Sequence, residues 1–230
     1  MPIIAEVKAI FKDTGAVLRF PNARNAFLIY WLLGAAALIY SVLFVGFVET
    51  ALVAVISILL LPLVEFVVHR FVLHWLDLAR NPITAKFWNR VHYAHHSQPS
   101  DPSVILAHPG STVLLIGSIC LLSWLIAGVT PLPIAGVYLL LFGFYEVVHF
   151  ACHLPGELRS SYFARRRRIH ALHHYMDDNK NFGITSSFAD RLFGTHATDK
   201  SKLTRSPTVR NLGYTGDFAE RYPYIERRVE

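Results

Sequence analysis

No charged residue occurs from residue 26 to residue 48, a run of 23 positions that is long enough for one membrane-spanning helix. Glu49 and Thr50 interrupt it. A second apolar run starts at Ala51, passes Pro62 and Glu65 and reaches His69. Pro62 is expected to kink this helix rather than end it, because neighbouring helices in a bilayer can satisfy the freed carbonyl. Between Asp101 and Glu146 lie 44 residues without Lys, Arg, Asp or Glu. That length fits two more spans, Ser111–Gly128 and Pro133–His153, joined by the turn Val129-Thr130-Pro131-Leu132-Pro133. The pattern predicts an all-α integral membrane protein with four transmembrane helices in two hairpins.

The distribution of positive charge orients the hairpins. Four Lys/Arg lie in residues 1–25, four between His69 and Asp101, and fourteen after His153, whereas the two hairpin tips hold none. With four spans these basic segments share one face, which the positive-inside rule makes cytoplasmic, together with both termini. Residues 1–25 are expected to be a cytoplasmic or interfacial segment, with an amphipathic surface helix carrying Ile3, Ile4, Val7, Ile10 and Phe11. Residues 26–200 form the membrane domain with its cytoplasmic helical cap, and residues 201–230 a cytoplasmic tail. The first apolar run begins too far in, and is too long, for a cleavable signal peptide. A bacterial inner membrane and the endoplasmic reticulum both suit this topology.

Composition narrows the classes further. Hydrophobic residues make up 53% of the chain and charged residues 17%, with a mean hydropathy of +0.37. This excludes a disordered chain, a collagenous chain and a disulfide scaffold. The isoelectric point near 9.4 does not imply nucleic acid, because the topology already accounts for the basic charge. Cys120 falls mid-span and Cys152 inside a histidine cluster, so no disulfide is expected. Arg165–Arg168 read three ways: attraction to anionic headgroups, docking of an acidic donor or an acyl-CoA phosphate, or a solvated topology determinant.

The unusual residue is histidine, with 12 copies against two Cys and two Met. Ten fall into four groups: His69 and His74; His92, His95 and His96; His149 and His153; His170, His173 and His174. Neutral imidazole is the commonest metal-binding side chain. At i, i+3 and i+4 the two HxxHH groups each present a three-nitrogen helical face. His69 and His74 are five apart, about 140° around a regular helix. That spacing suits either a helix that unwinds near His74 or two nitrogens that reach different metals. All four groups are predicted to meet at one membrane–cytoplasm boundary, and ten nitrogens exceed what one metal takes, so two metals are the economical reading. His108 and His196 stand alone and read as ordinary hydrogen-bonded residues.

In these boxes, over about Leu61–Thr195, the chain resembles the fatty acid hydroxylase/sterol desaturase superfamily. The order HxxxxH, HxxHH, HxxxH, HxxHH is most similar to the fatty acid 2-hydroxylase branch, as are Asn181-Phe182-Gly183-Ile184-Thr185-Ser186 and Leu192-Phe193-Gly194-Thr195. The resemblance implies an O2-dependent di-iron lipid hydroxylase with the ten clustered histidines as ligands, and zinc as a possible occupant after purification. Which five serve which iron is not set by spacing. It implies 2-hydroxylation of fatty acyl chains, free or in a lipid. Many relatives carry a fused cytochrome b5 domain that this sequence lacks, so electrons are expected from a separate cytochrome b5- or ferredoxin-like protein.

Ligating imidazoles need outer partners that fix their tautomer. Glu65, four before His69, and Glu146, three before His149, sit on the ligand faces of their helices; Asp177, Asp178 and Asp190 are further candidates. An acyl chain is expected to lie between the spans, with Phe144, Tyr145 and Phe150 read as ordinary packing. The alternatives are a carotenoid or sterol-type oxygenase of the same superfamily, and a metal transporter. Transporters place ligands at the bilayer midplane on broken helices, unlike histidines gathered at one end.

Overall fold

The computed structural model describes residues 3–225, whose regular elements are all helices, with no strand among them. Four helical segments are long and apolar enough to cross a membrane: Pro21–Phe44, Phe47–Arg80, Pro109–Ala127 and Pro131–His153. The chain is therefore a multi-pass membrane protein. We name the helices α1 (Ile3–Val17), α2 (Pro21–Phe44), α3 (Phe47–Val68), α4 (Pro82–Trp88), α5 (Ala94–Ser97), α6 (Pro109–Ala127), α7 (Pro131–His153), α8 (Ser161–Tyr175), α9 (Phe188–Leu192) and α10 (Gly216–Arg221). As expected, α3 runs through Pro62 without ending.

The described residues divide into two compact units. The first comprises the chain up to Leu61, Ala107–Ala151 and Leu158–Ser160. Within it, α2 and α7 approach closely at glycines. A methyl group on Gly34 would lie 2.9 Å from the Gly136 carbonyl oxygen, and one on Gly136 would lie 3.1 Å from the Leu38 nitrogen. Polar pairs supplement this packing, as expected where lipid gives helices no hydrophobic reason to associate. The Tyr30 and Thr112 hydroxyls are 3.1 Å apart, and those of Ser41 and Thr50 are 2.7 Å apart.

The break between the first two spans falls at Val45–Gly46, earlier than Glu49–Thr50 suggests. Gly46 takes φ +116°, which only glycine adopts without strain, and the Thr50 hydroxyl donates to its carbonyl. Glu49 instead sits in the first turn of α3, where a carboxylate complements the helix dipole. The expected N-terminal helix forms as α1. Its Asp13 carboxylate accepts from the Arg159 and Ser160 N–H groups, while Ile3, Ile4, Val7 and Phe11 are exposed.

The second unit comprises Pro62–Leu106, Cys152–Glu157 and Ser161 onward. It is built of short helices around two apolar clusters. One holds Ala79, Ala85, Trp88, Leu212, Tyr214, Ala219 and Ile225; the other holds Phe66, Phe182 and Ala189. Two stretches are wound as π-helix, His69–Leu73 and Asn89–Tyr93, and each contains the first histidine of a box. Single π turns of this kind concentrate at functional sites.

Replacing Gly34 by Leu forces a side chain into the α2–α7 contact. The expected loss of stability is about 1–3 kcal/mol, read as a lower unfolding temperature of the detergent-solubilised protein, with Gly117→Leu as the control because a methyl there meets nothing within 4 Å.

Candidate metal centre

His69, His74, His92, His96 and His173 each bring one ring nitrogen to within 4.8 Å of the others. They come from three separate stretches of the second unit. The π turn explains the first pair. The wider turn closes a hydrogen bond from the His74 N–H to the His69 carbonyl, five residues back, and the two rings end 5.0 Å apart on one side. The helix therefore changes gauge to bring both imidazoles to one group, and they do not diverge to two.

His95, His153, His170 and His174 form a second group under the same distance limit. The groups adjoin, since the rings of His96 and His174 are 4.3 Å apart. Each HxxHH box thus divides. His92 and His96 go to the first group and His95 to the second; His173 goes to the first and His170 and His174 to the second. The three-nitrogen face expected of each box is not used as a face. Consecutive residues around a helix point about 100° apart, so one box serves two neighbouring groups. His149 lies in the first unit, buried, one turn before His153 along α7.

The nitrogens are arranged as a ligand set requires. The His69, His96 and His173 Nδ1–H groups donate to the carbonyls of Phe182 (2.6 Å), Val209 (3.0 Å) and Lys180 (2.7 Å). This leaves each Nε2 lone pair facing inward. Burial first, and neighbouring imidazoles second, hold His92, His173 and His174 well below the ordinary value of 6.5; burial pulls His96 down to about 3. All four are neutral at pH 7. The Nε2 atoms of His69, His74 and His92 are buried with no hydrogen-bond partner among the described residues. Nε2–Nε2 separations are 3.1 Å for His96–His173, 2.9 Å for His153–His170 and 3.0 Å for His170–His174. Two nitrogens bound at about 2.1 Å and at right angles stand about 3.0 Å apart. Orphaned, neutral and mutually opposed lone pairs fit metal ions and fit little else.

The carbonyls that orient His69 and His173 belong to the loop Lys180–Ser187, and three buried charged residues hold it. Asp190 accepts from the Phe182 and Gly183 N–H groups, both at 2.8 Å, and from the Thr195 hydroxyl at 2.7 Å. Arg166 donates to the Gly183 and Ile184 carbonyls, both at 2.6 Å, and to the Ser187 hydroxyl at 2.7 Å. Glu65 accepts from the Ile184 and Thr185 N–H groups and from the Thr185 hydroxyl. Glu65 thus meets the loop that carries the Phe182 carbonyl. Asn181, at φ 60°, exchanges two hydrogen bonds with Ala197.

The remaining candidates separate clearly. Asp178 is buried and faces the Thr208 hydroxyl, whereas Asp177 caps a turn at Asn179. Glu146 accepts from the Ala107 N–H at 3.1 Å. His108 caps α6 through the Gly110 N–H, and His196 belongs to neither group. The arginine run is not one solvated patch: Arg165 and Arg168 are exposed, but Arg166 is buried and Arg167 donates to the Leu154 and Gly156 carbonyls. Arg166 was not legible as a site residue from composition. Its position seven before His173 and four before His170, on the inner face of α8, is the signal that finds it.

Comparison with known proteins is consistent with this arrangement. The profile of the fatty acid hydroxylase family matches residues 53–195. An Arabidopsis thaliana dihydroceramide fatty acyl 2-hydroxylase, FAH2, is 30% identical over 169 residues, covering 70% of this chain and 67% of that one. A human fatty acid 2-hydroxylase is 27% identical, covering 61% and 38%. The Saccharomyces cerevisiae ceramide very long chain fatty acid hydroxylase SCS7 is 30% identical, covering 62% and 37%. The chain therefore spans well under half the length of the human and yeast relatives. A solved structure of full-length scs7p, with only the hydroxylase domain visible, has the same fold: TM-score 0.63 at 24% identity, covering 78% of this chain and 68% of that one.

Two outcomes follow from the loop. A methyl group on Gly183 would stand 2.0 Å from the Ser186 carbonyl oxygen, so Gly183→Ala is expected to displace the loop and lower metal content, measured by elemental analysis. Asp190→Asn sets an amide against backbone donors and is expected to cost about 1–3 kcal/mol of unfolding free energy. A third concerns pH. Imidazoles kept neutral in the fold gain protons on unfolding, so the metal-free protein should lose stability as pH falls from about 6.5 towards 3, in thermal unfolding across that range.

Proposed function

The chain belongs to the fatty acid hydroxylase family, and from that premise we propose that it is a membrane-bound, O2-dependent di-iron enzyme that hydroxylates fatty acyl chains at carbon 2, free or in a lipid. The observation that carries this reading is the sorting of histidines from distant stretches into two adjoining groups with opposed, neutral nitrogens. The relatives named as 2-hydroxylases of fatty acids and of dihydroceramide acyl chains supply the substrate class.

The first iron would be held by His69, His74, His92, His96 and His173. The second would be held by His95, His153, His170 and His174, with His149 assigned as the fifth ligand because it shares a face of α7 with His153. When bound, the two irons supply the redox chemistry of O2 that no amino-acid side chain possesses. A C–H bond becomes C–OH with one oxygen atom of O2, and the other leaves as water. Two protons and two electrons complete the balance, the electrons coming from a separate cytochrome b5- or ferredoxin-like donor. Zinc fits the same nitrogens but has no redox chemistry, so it would occupy the site without turnover.

The protein's own part is orientation. Carbonyls of Lys180, Phe182 and Val209 hold three rings in one tautomer, and Glu65, Arg166 and Asp190 hold the loop that carries two of those carbonyls. Glu146, three residues before His149 on α7, is assigned the corresponding outer role there. The concentration of Lys and Arg outside the two hairpin tips supports a cytoplasmic histidine cluster and cytoplasmic termini, with the acyl chain reaching it from between the spans.

Expression in a host that lacks 2-hydroxy lipids, followed by mass spectrometry, should show acyl chains heavier by one oxygen, with fragmentation placing it on carbon 2. His173→Ala should abolish the product. Oxidised isoprenoids or sterols in its place, or metal flux into vesicles without any oxygenated lipid, would overturn the assignment.

A further inference from the structure

The stretch from Ser206 to Leu212 lies beyond the family match, which ends at residue 195, yet it is tied to both HxxHH boxes. The Ser206 N–H donates to the Met176 carbonyl at 2.7 Å, and the Thr208 hydroxyl stands 2.9 and 3.0 Å from the carboxylate oxygens of buried Asp178. Both partners lie just after His174. On the other side the Arg210 guanidinium donates to the Ser97 carbonyl, one residue after His96, and stacks over the Tyr175 ring at 5.6 Å. Between these ties the Val209 carbonyl accepts from His96 Nδ1. Leu212, held at φ 47°, then enters the Trp88 cluster on α4, from which the chain runs directly into the helix of His92 and His96.

These contacts have one geometrical result. His96 and His173 come from different boxes, and their Nε2 atoms are 3.1 Å apart. No hydrogen bond between the backbones of α5 and α8 sets that distance among the bonds described. The segment between them supplies hydrogen bonds to the end of each box. It also turns the His96 ring so that Nε2, and not Nδ1, faces His173. A non-ligating partner of a ligand imidazole typically contributes about 10- to 100-fold in metal affinity.

We propose that Ser206–Leu212 is a positioning strap for the first histidine group, fixing His96 against His173 so that a metal ion is retained there only while the strap is tied to both boxes. This rests on the metal reading above and adds residues that the family match does not reach. Neither Thr208 nor Arg210 is a ligand; both act through the backbone that carries the Val209 carbonyl.

The test uses the full-length protein purified with its metal. Metal per chain and the rate of metal release to a chelator are measured for the wild type, Thr208→Val, Arg210→Met and the double variant, with unfolding of the metal-free forms followed in parallel. Thr208→Val keeps the shape of the side chain and removes only the hydroxyl, so it remains informative if the double variant does not fold. Expected are two ions per chain in the wild type, release of one of them at least about ten-fold faster in each single variant, and about one ion per chain in the double variant. Thr208→Ser should restore wild-type release. Variants that unfold at lower temperature yet keep two ions at the wild-type release rate would overturn the strap and leave the metal reading standing. A wild type that binds no metal would overturn the metal reading itself.

Discussion

The rest of the second unit depends on the burial of a crowd of imidazoles that must all stay neutral and all aim the same nitrogen inward. Each ring carries one N–H and one lone pair, and nothing intrinsic decides which nitrogen holds the proton. A carbonyl placed at Nδ1 decides it. Three carbonyls do so for His69, His96 and His173, at 2.6 to 3.0 Å. Without them the inward nitrogens would be a mixture of donors and lone pairs, and a buried N–H facing another would be left unsatisfied. The buried side chains of Glu65, Arg166 and Asp190 follow from this need. Each is spent on backbone N–H or C=O groups of one loop. Charge-assisted hydrogen bonds are the strongest way to hold an irregular segment in a single place.

The helix that delivers the first box shows a second constraint. A regular α-helix leaving the apolar layer would separate His69 and His74 by about 140°. Widening the turn to π-geometry places both rings in one group, and the indole N–H of Trp88 fastens the end of the π turn by donating to the Leu73 carbonyl at 2.6 Å. Trp88 itself precedes the second π turn, Asn89–Tyr93, and is the centre of the cluster on which Leu212 and Tyr214 pack. One tryptophan thus couples the two gauge changes to the C-terminal segment.

The spans and the histidine boxes were legible in the sequence because both are local signals. A run without charge and an HxxHH spacing are complete within a few turns of chain, and the structure places four apolar helices and two adjoining groups of histidine nitrogens accordingly. Span ends shifted by a few residues, since Gly46 and the prolines at Pro21, Pro109 and Pro131 set them and hydropathy does not. The sorting of nitrogens into groups was not legible, because it depends on how α5 and α8 meet. Arg166 was hidden for a related reason. Four consecutive arginines look like solvent-facing charge until the helix is built and the second is found on the same face as His170 and His173. Glu65 was readable as a partner of the site, but not the route of its action, which passes through a loop more than a hundred residues away.

That route has a general cause. Inside a helix most carbonyls already accept from an N–H further along the same helix, so carbonyls of irregular chain are the freer acceptors for orienting ligand rings. The orienting carbonyls here come from Lys180, Phe182 and Val209, and a fourth, that of Pro99, faces His153; all four lie outside helices. A histidine site built on helices must therefore be wrapped by irregular chain, and that chain must be pinned at intervals or its carbonyls would wander. Asn181, Gly183, Asp190 and Thr195 pin one segment; Asp178, Thr208 and Arg210 pin the other. The histidines are the visible part of the centre, while its precision resides in loops that composition alone would class as connection.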